Sequence, residues 1–133
     1  MSDIDHAREL LEMARGDLNA LRGMLKSDEL TGESYFSDEV FGFHAQQAVE
    51  KCLKAWLAHV GKPYPRSHDL MLLVQLVETI EPDVSELYGL VDLNSFAVQF
   101  RYESLVPDDE ELERRILFDE IESLFLRVEQ ILA

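Results

Sequence analysis

Cysteine is almost missing from this chain. Cys52 stands alone, which excludes an internal disulfide and a cysteine-based metal cage. Long apolar runs are missing too. None approaches the roughly 18 residues that a membrane-spanning helix needs. The first ten residues, MSDIDHAREL, are acidic and lack a basic stretch followed by an apolar one, so no signal peptide is expected. Together these absences predict a cytoplasmic protein. Basic residues are scarce: 12 Lys and Arg stand against 27 Asp and Glu, a net charge of −15. Such a chain will not bind nucleic acid as an undifferentiated basic surface would. There is no sustained apolar–polar alternation and no Asn-Gly or Asp-Gly hairpin signal, which argues against strands. Neither a His-Glu-x-x-His nor a His-x-x-x-His pair occurs, so no metal site is expected. A glycine-rich phosphate loop is absent as well. No internal repeat or low-complexity tract appears.

What is present is helical periodicity. Hydrophobic residues make up 47% of the 133 residues, enough for one folded domain over residues 1–133 despite the charge. From Asp3 to Leu25, apolar residues recur at three- and four-residue steps, with Ser2 or Asp3 as N-cap. A polar loop over residues 27–34 follows. A second helix is predicted from Tyr35 or Ser37 to Val60, with Gly61 at its C-terminal cap. Pro63 and Pro65 exclude helix over residues 62–66. Ser67 then reads as the cap of a third, short helix ending near Ile80. Pro82 opens a fourth, expected to reach Tyr102. A fifth runs from about Asp109 to Leu132. The predicted fold class is all-α: an up-and-down helical bundle of four long helices plus one short helix. The fourth helix is apolar around almost its whole circumference. Such a helix is buried on all sides, which points to a homodimer; cover by the short third helix and the loops is the alternative.

Charge placement is uneven. Residues 1–39 hold ten acids and residues 103–122 hold nine. Between 40 and 70 only Glu50 and Asp69 oppose Lys51, Lys54, Lys62 and Arg66, and His44, His59 and His68 lie there as well. An anion site would draw on this segment. The second helix divides sharply around its axis. With Phe41 at zero, Ala45, Ala48, Val49, Cys52, Ala55 and Trp56 fall between about −40° and +80°. His44, Gln47, Lys51 and Lys54 fall between about 220° and 300°. One face packs, and the other offers imidazole, amide and ammonium groups suited to phosphate, base or carboxylate. A solvated helix face would look the same. Cys52 sits in the packing arc and reads as a buried thiol, not a nucleophile. Trp56 reads as core, while Tyr64, bracketed by prolines, is the fairer candidate for stacking on a base. His68, near a helix start, reads first as a capping or packing residue. Asn94 and Arg101, seven residues apart, share a helix face.

The run Phe43-His44-Ala45-Gln46-Gln47-Ala48-Val49-Glu50-Lys51-Cys52-Leu53-Lys54-Ala55, then Gly61, the proline pair and Ser67-His68-Asp69-Leu70, resembles the HEPN domain family. Arg101-Tyr102 at the end of a long helix and Asp17-Leu18 in the first helix are similar too. The resemblance covers residues 7 to 125. It implies a helical bundle, commonly a homodimer, paired with a minimal nucleotidyltransferase in modules that resemble toxin–antitoxin pairs. Many members are metal-independent ribonucleases whose motif is an arginine followed four to six residues later by histidine. In that motif arginine grips phosphate and histidine moves the proton. Here Arg101 is followed by Tyr-Glu-Ser-Leu-Val-Pro-Asp-Asp, and no histidine occurs later in the chain. Arg101 and Tyr102 carry over; the catalytic histidine does not. The expectation is therefore a non-catalytic, nucleotide- or RNA-phosphate-binding module that uses no cofactor. Arg101, His44, Gln47 and Lys51 are the leading ligand contacts, and Tyr102, Lys54 and His68 come next. A ribonuclease with a relocated base, such as His44 or His68, is the alternative. A purely structural partner subunit is a further one.

Overall fold

The computed structural model describes residues 3–97 and 112–133. Helix α1 spans Ile4–Thr31, α2 spans Asp38–Val60, α3 spans Leu70–Glu78 and α4 spans Arg114–Leu132. Between α3 and α4 lies a 3₁₀ helix, Ser85–Phe96. No strand occurs among the described residues, and the fold is all-α.

Local chemistry sets most of the boundaries. Asp3 caps α1 by accepting the His6 N–H at 3.0 Å, and Ser37 caps α2 by accepting the Val40 N–H at 3.2 Å. Gly32 and Gly61 end these helices in the left-handed conformation, with φ of 72° and 77°. Helix α1 thus runs six residues beyond the predicted Leu25, because nothing before Gly32 breaks it. The α3 cap is Asp69, not Ser67. The Asp69 carboxylate accepts the Met71 N–H, and Ser67 Oγ accepts the Asp69 N–H one turn earlier. Leu112 and Glu113 precede α4 as coil.

Helix α2 packs on every other element. Helix α1 lies antiparallel to it, tied at one end by the Asp3 N–H donating to the Ala58 carbonyl at 2.9 Å. Helix α4 lies antiparallel to α1, and three ion pairs mark the register: Arg15–Glu129, Arg22–Glu122 and Glu29–Arg115. Each step is seven residues forward on α1 and seven back on α4. The guanidinium groups of Arg15 and Arg22 also lie over the rings of Phe125 and Phe118, at 4.9 and 5.4 Å. This is the heptad arithmetic of an antiparallel helix pair, with apolar side chains in the seam and charges along its edge.

The fourth predicted helix differs in kind. Along it Val84, Leu87, Leu90, Leu93 and Phe96 are buried, and the residues between them are exposed or half-buried. That spacing is three, the repeat of a 3₁₀ helix, so all five fall on one face. Wound as an α-helix the same residues spiral around the axis, which produced the expectation of an all-round apolar helix. The stripe is covered within the monomer by α2 and α3, so this helix gives no reason for a homodimer. The predicted continuation to Tyr102 lies outside the described residues. The 3₁₀ helix runs back along α2. It starts where the Asp83 carbonyl and Glu86 meet Arg127 and ends with Phe96 against Gly42. Its rise of about 2.0 Å per residue lets twelve residues cover some 24 Å.

Candidate functional site

The polar arc of α2 turns toward α1 and the loop before α3. On α1, Asp17 lies between Leu10, Leu21 and Met24 around the helix and is drawn into the interface, its side chain only 11% exposed. It receives two groups from α2. Lys51 Nζ donates to Asp17 Oδ2 at 2.8 Å, and His44 Nδ1 meets Asp17 Oδ1 at 2.9 Å. His44 and Lys51 are seven residues apart, two helical turns, so one carboxylate reaches both.

A second carboxylate repeats the pattern. Glu50 is 6% exposed. Lys54 Nζ donates to its Oε2 at 3.1 Å, and His68 Nδ1 meets its Oε1 at 2.8 Å. Buried Gln46 donates to the same Oε1 at 3.0 Å and to the His68 carbonyl at 3.2 Å, while Gln47 donates to Gln46 Oε1 at 2.7 Å. Burial alone pushes the Glu50 carboxyl up. The hydrogen bonds from Gln46 and His68 and the charge of Lys54 outweigh it, and the group ends below its ordinary value.

Five of the seven predicted site residues, His44, Gln47, Lys51, Lys54 and His68, thus belong to two adjoining assemblies, each an acid holding a histidine and a lysine. Arg101 and Tyr102 lie outside the described residues. The assemblies differ from an open cationic face. Both lysines are ion-paired and mostly buried, and with neutral imidazoles the cluster has no net charge. What remains available is the outer edge of the imidazoles. Nδ1 is engaged in both, so Nε2 faces outward, with His68 69% exposed and His44 29%. A carboxylate on one ring nitrogen fixes ring orientation and leaves the other nitrogen for a ligand or a proton.

Sequence reasoning passed over Asp17, Gln46 and Glu50 as site members. The signal for Asp17 was a lone acid inside the apolar stripe of α1. For Gln46 and Glu50 it was their placement beside Leu53 and Leu57 on a second arc of α2, which is itself buried. Tyr64 is less open than expected: its hydroxyl meets His6 Nε2 at 3.1 Å and Lys54 Nζ lies over its ring at 5.9 Å. Asn94 is a structural residue. Its Oδ1 accepts the Leu70 N–H at 2.8 Å, and its amide donates to Asp69 at 2.9 Å, securing the start of α3. Cys52 and Trp56 are buried as predicted, and burial raises the Cys52 pKa. Among the described residues no group of three or more His, Cys, Asp and Glu could hold a metal, and no helix is long and apolar enough to cross a membrane.

An antiparallel helical bundle with a histidine- and lysine-bearing central helix defines the class. Within it, the HEPN domain model matches residues 7–132, and the chain belongs to the HEPN family. Membership ties it to nucleotide- or RNA-related function. Neither a curated protein nor a solved structure matches the chain.

Proposed function

We propose that this protein is a non-catalytic HEPN module, a homodimer that binds a nucleotide or RNA phosphate and partners a minimal nucleotidyltransferase in a toxin–antitoxin-like pair. The observation that carries the binding reading is the pair of carboxylate-held imidazoles, His44 on Asp17 and His68 on Glu50. They present two oriented Nε2 atoms beside Gln47, Lys51 and Lys54, within residues 40–70 of an acidic chain, where cations outnumber acids. Arg101 adds the bidentate phosphate grip, and Tyr102 adds a hydroxyl or stacking surface. The missing histidine after Arg101 favours binding over cleavage.

A ribonuclease with a relocated base is the second reading, favoured by the His44–Asp17 pair. A carboxylate on Nδ1 is the arrangement that lets Nε2 act as a general base. One experiment separates the two. Purified protein and its Arg101→Ala variant are incubated with a mixed RNA pool, and nucleotide-induced thermal shifts are measured in parallel. The binding module leaves RNA intact in both samples, and its nucleotide shift is lost in Arg101→Ala. Cleavage that disappears in Arg101→Ala and in His44→Ala establishes the ribonuclease instead. Intact RNA with no shift for any nucleotide leaves a structural partner subunit, in which the ion-paired arc of α2 only joins helices.

A further inference from the structure

A groove of about 480 Å³ runs between the 3₁₀ helix and α4. It exists because these two elements both pack on α2 and not on each other. Leu87 and Leu90 form its floor, and the face of α4 carrying Ile116, Asp119, Glu120 and Ser123 forms one wall. On the opposite wall Gly89 has no side chain, and a Cβ placed there would meet nothing. Arg127 closes one end by bridging to Glu86 and the Asp83 carbonyl.

Two features set this groove apart from ordinary surface. Ile116, a large apolar side chain, stands 55% exposed on its wall. Beside it, Asp119 and Glu120 have no ion-pair or hydrogen-bond partner among the described residues, whereas Glu86 is committed to Arg127. An apolar floor beneath unpaired carboxylates calls for an occupant with apolar anchors and cationic flanks. The wall from Ile116 to Ser123 rises about 10 Å, two helical turns. Anchors at i and i+4 of a docked helix span about 6 Å and fit within that length.

We propose that this groove docks a basic, amphipathic helix of a partner protein, with an aliphatic side chain against Ile116 above the buried floor of Leu87 and Leu90, and lysine or arginine on Asp119 and Glu120. The chain's net charge of −15 steers such a partner toward it at long range. Nucleic acid would meet the same carboxylates as like charges.

The test uses the full chain and a fluorescent helical peptide of about 15 residues, leucines at i and i+4 flanked by lysines, with a glutamate-flanked counterpart. By fluorescence anisotropy the lysine peptide binds and the glutamate peptide does not. The double variant Asp119→Lys/Glu120→Lys weakens binding at least about tenfold, and so does Ile116→Asp. Glu9→Lys, an exposed acid on α1, leaves binding within about twofold. Equal weakening by Glu9→Lys means general attraction to an acidic protein and overturns the proposal. So does binding that survives both groove variants. A dimer that Ile116→Asp converts to monomer also overturns it, because a second copy then fills the groove.

Discussion

At the scale of single residues, burial and charge pairing decide what each polar group can do. Glu50 is the clearest case. Its side chain is almost fully enclosed, and it accepts from Gln46, Lys54 and His68. These partners favour the charged form more strongly than burial disfavours it, so its pKa falls below the ordinary 4.5. The sign of the linkage follows. A carboxylate with a lowered folded-state pKa contributes stability above 4.5 and loses it as pH drops through the folded value. Glu50→Gln, which keeps the shape and removes the charge, is expected to cost about 1–3 kcal/mol at neutral pH. The gap between wild type and variant should close as pH falls below 4.5. Urea midpoints measured from neutral to acid pH read both effects, and a gap that stays constant with pH would contradict the linkage. The same enclosure qualifies the ligand-binding role of the lysines. Lys51 and Lys54 already hold Asp17 and Glu50, so any phosphate must compete with those carboxylates or take its contacts from His44, His68 and Gln47.

At the scale of elements, the 3₁₀ helix rests on two features. Its burial repeats every three residues, and it approaches α2 at Gly42. A Cβ on Gly42 would fall against the Phe96 ring, much closer than van der Waals contact allows. Replacing an interior helical glycine by alanine ordinarily stabilises by about 1 kcal/mol. Here the expected sign is reversed: Gly42→Ala should destabilise by about 1–3 kcal/mol, because the ring must leave its place. Adding Phe96→Ala should relieve part of that cost, so the double variant is more stable than the sum of the singles implies. A denaturant double-mutant cycle reads the coupling directly, and additive single effects would count against this packing.

At the scale of the whole molecule, the bundle is closed at one end by Arg114. Its guanidinium is 9% exposed. It donates to Asp38 at 2.9 Å and to the Phe36 carbonyl at 2.6 Å, reaches Asp28 at 3.4 Å and lies 5.0 Å from the Phe41 ring centroid. One side chain at the start of α4 thus ties together the end of α1, the α1–α2 loop and the start of α2. The neighbouring Arg115 pairs with Glu29 in open solvent, at 58% and 66% exposure. Arg114→Ala is expected to cost about 2–4 kcal/mol, since it leaves two partly enclosed carboxylates uncompensated. Arg115→Ala should stay within about 0.5 kcal/mol. Chemical unfolding of both variants tests the contrast. The three ion pairs between α1 and α4 add little stability at such exposure. Their value is in register: one pair has its charges reversed relative to the other two, so a seven-residue slip would bring like charges together.

The sequence by itself determined the helical class, because apolar residues recurring at three and four steps have no other way to share one buried face. It determined the caps at Asp3 and Gly61, because each is a local hydrogen-bond or backbone requirement; Gly32 falls within the segment that sequence alone reads as a loop, and Ser37 is one of two starts it allows for α2. It marked α2 as the helix carrying His44, Gln47, Lys51 and Lys54, since helical spacing alone puts them on one arc. Tertiary structure decided what lies across from that arc. Asp17 is twenty-seven residues from His44 and Glu50 eighteen from His68, and no local pattern says that they meet. It also decided the winding of the segment Ser85–Phe96. A three-residue apolar repeat fits one face of a 3₁₀ helix and several faces of an α-helix, and only packing against α2 and α3 selects between them. The groove beside α4 follows from the same choice, because it is the space left where two elements pack on a third and not on each other.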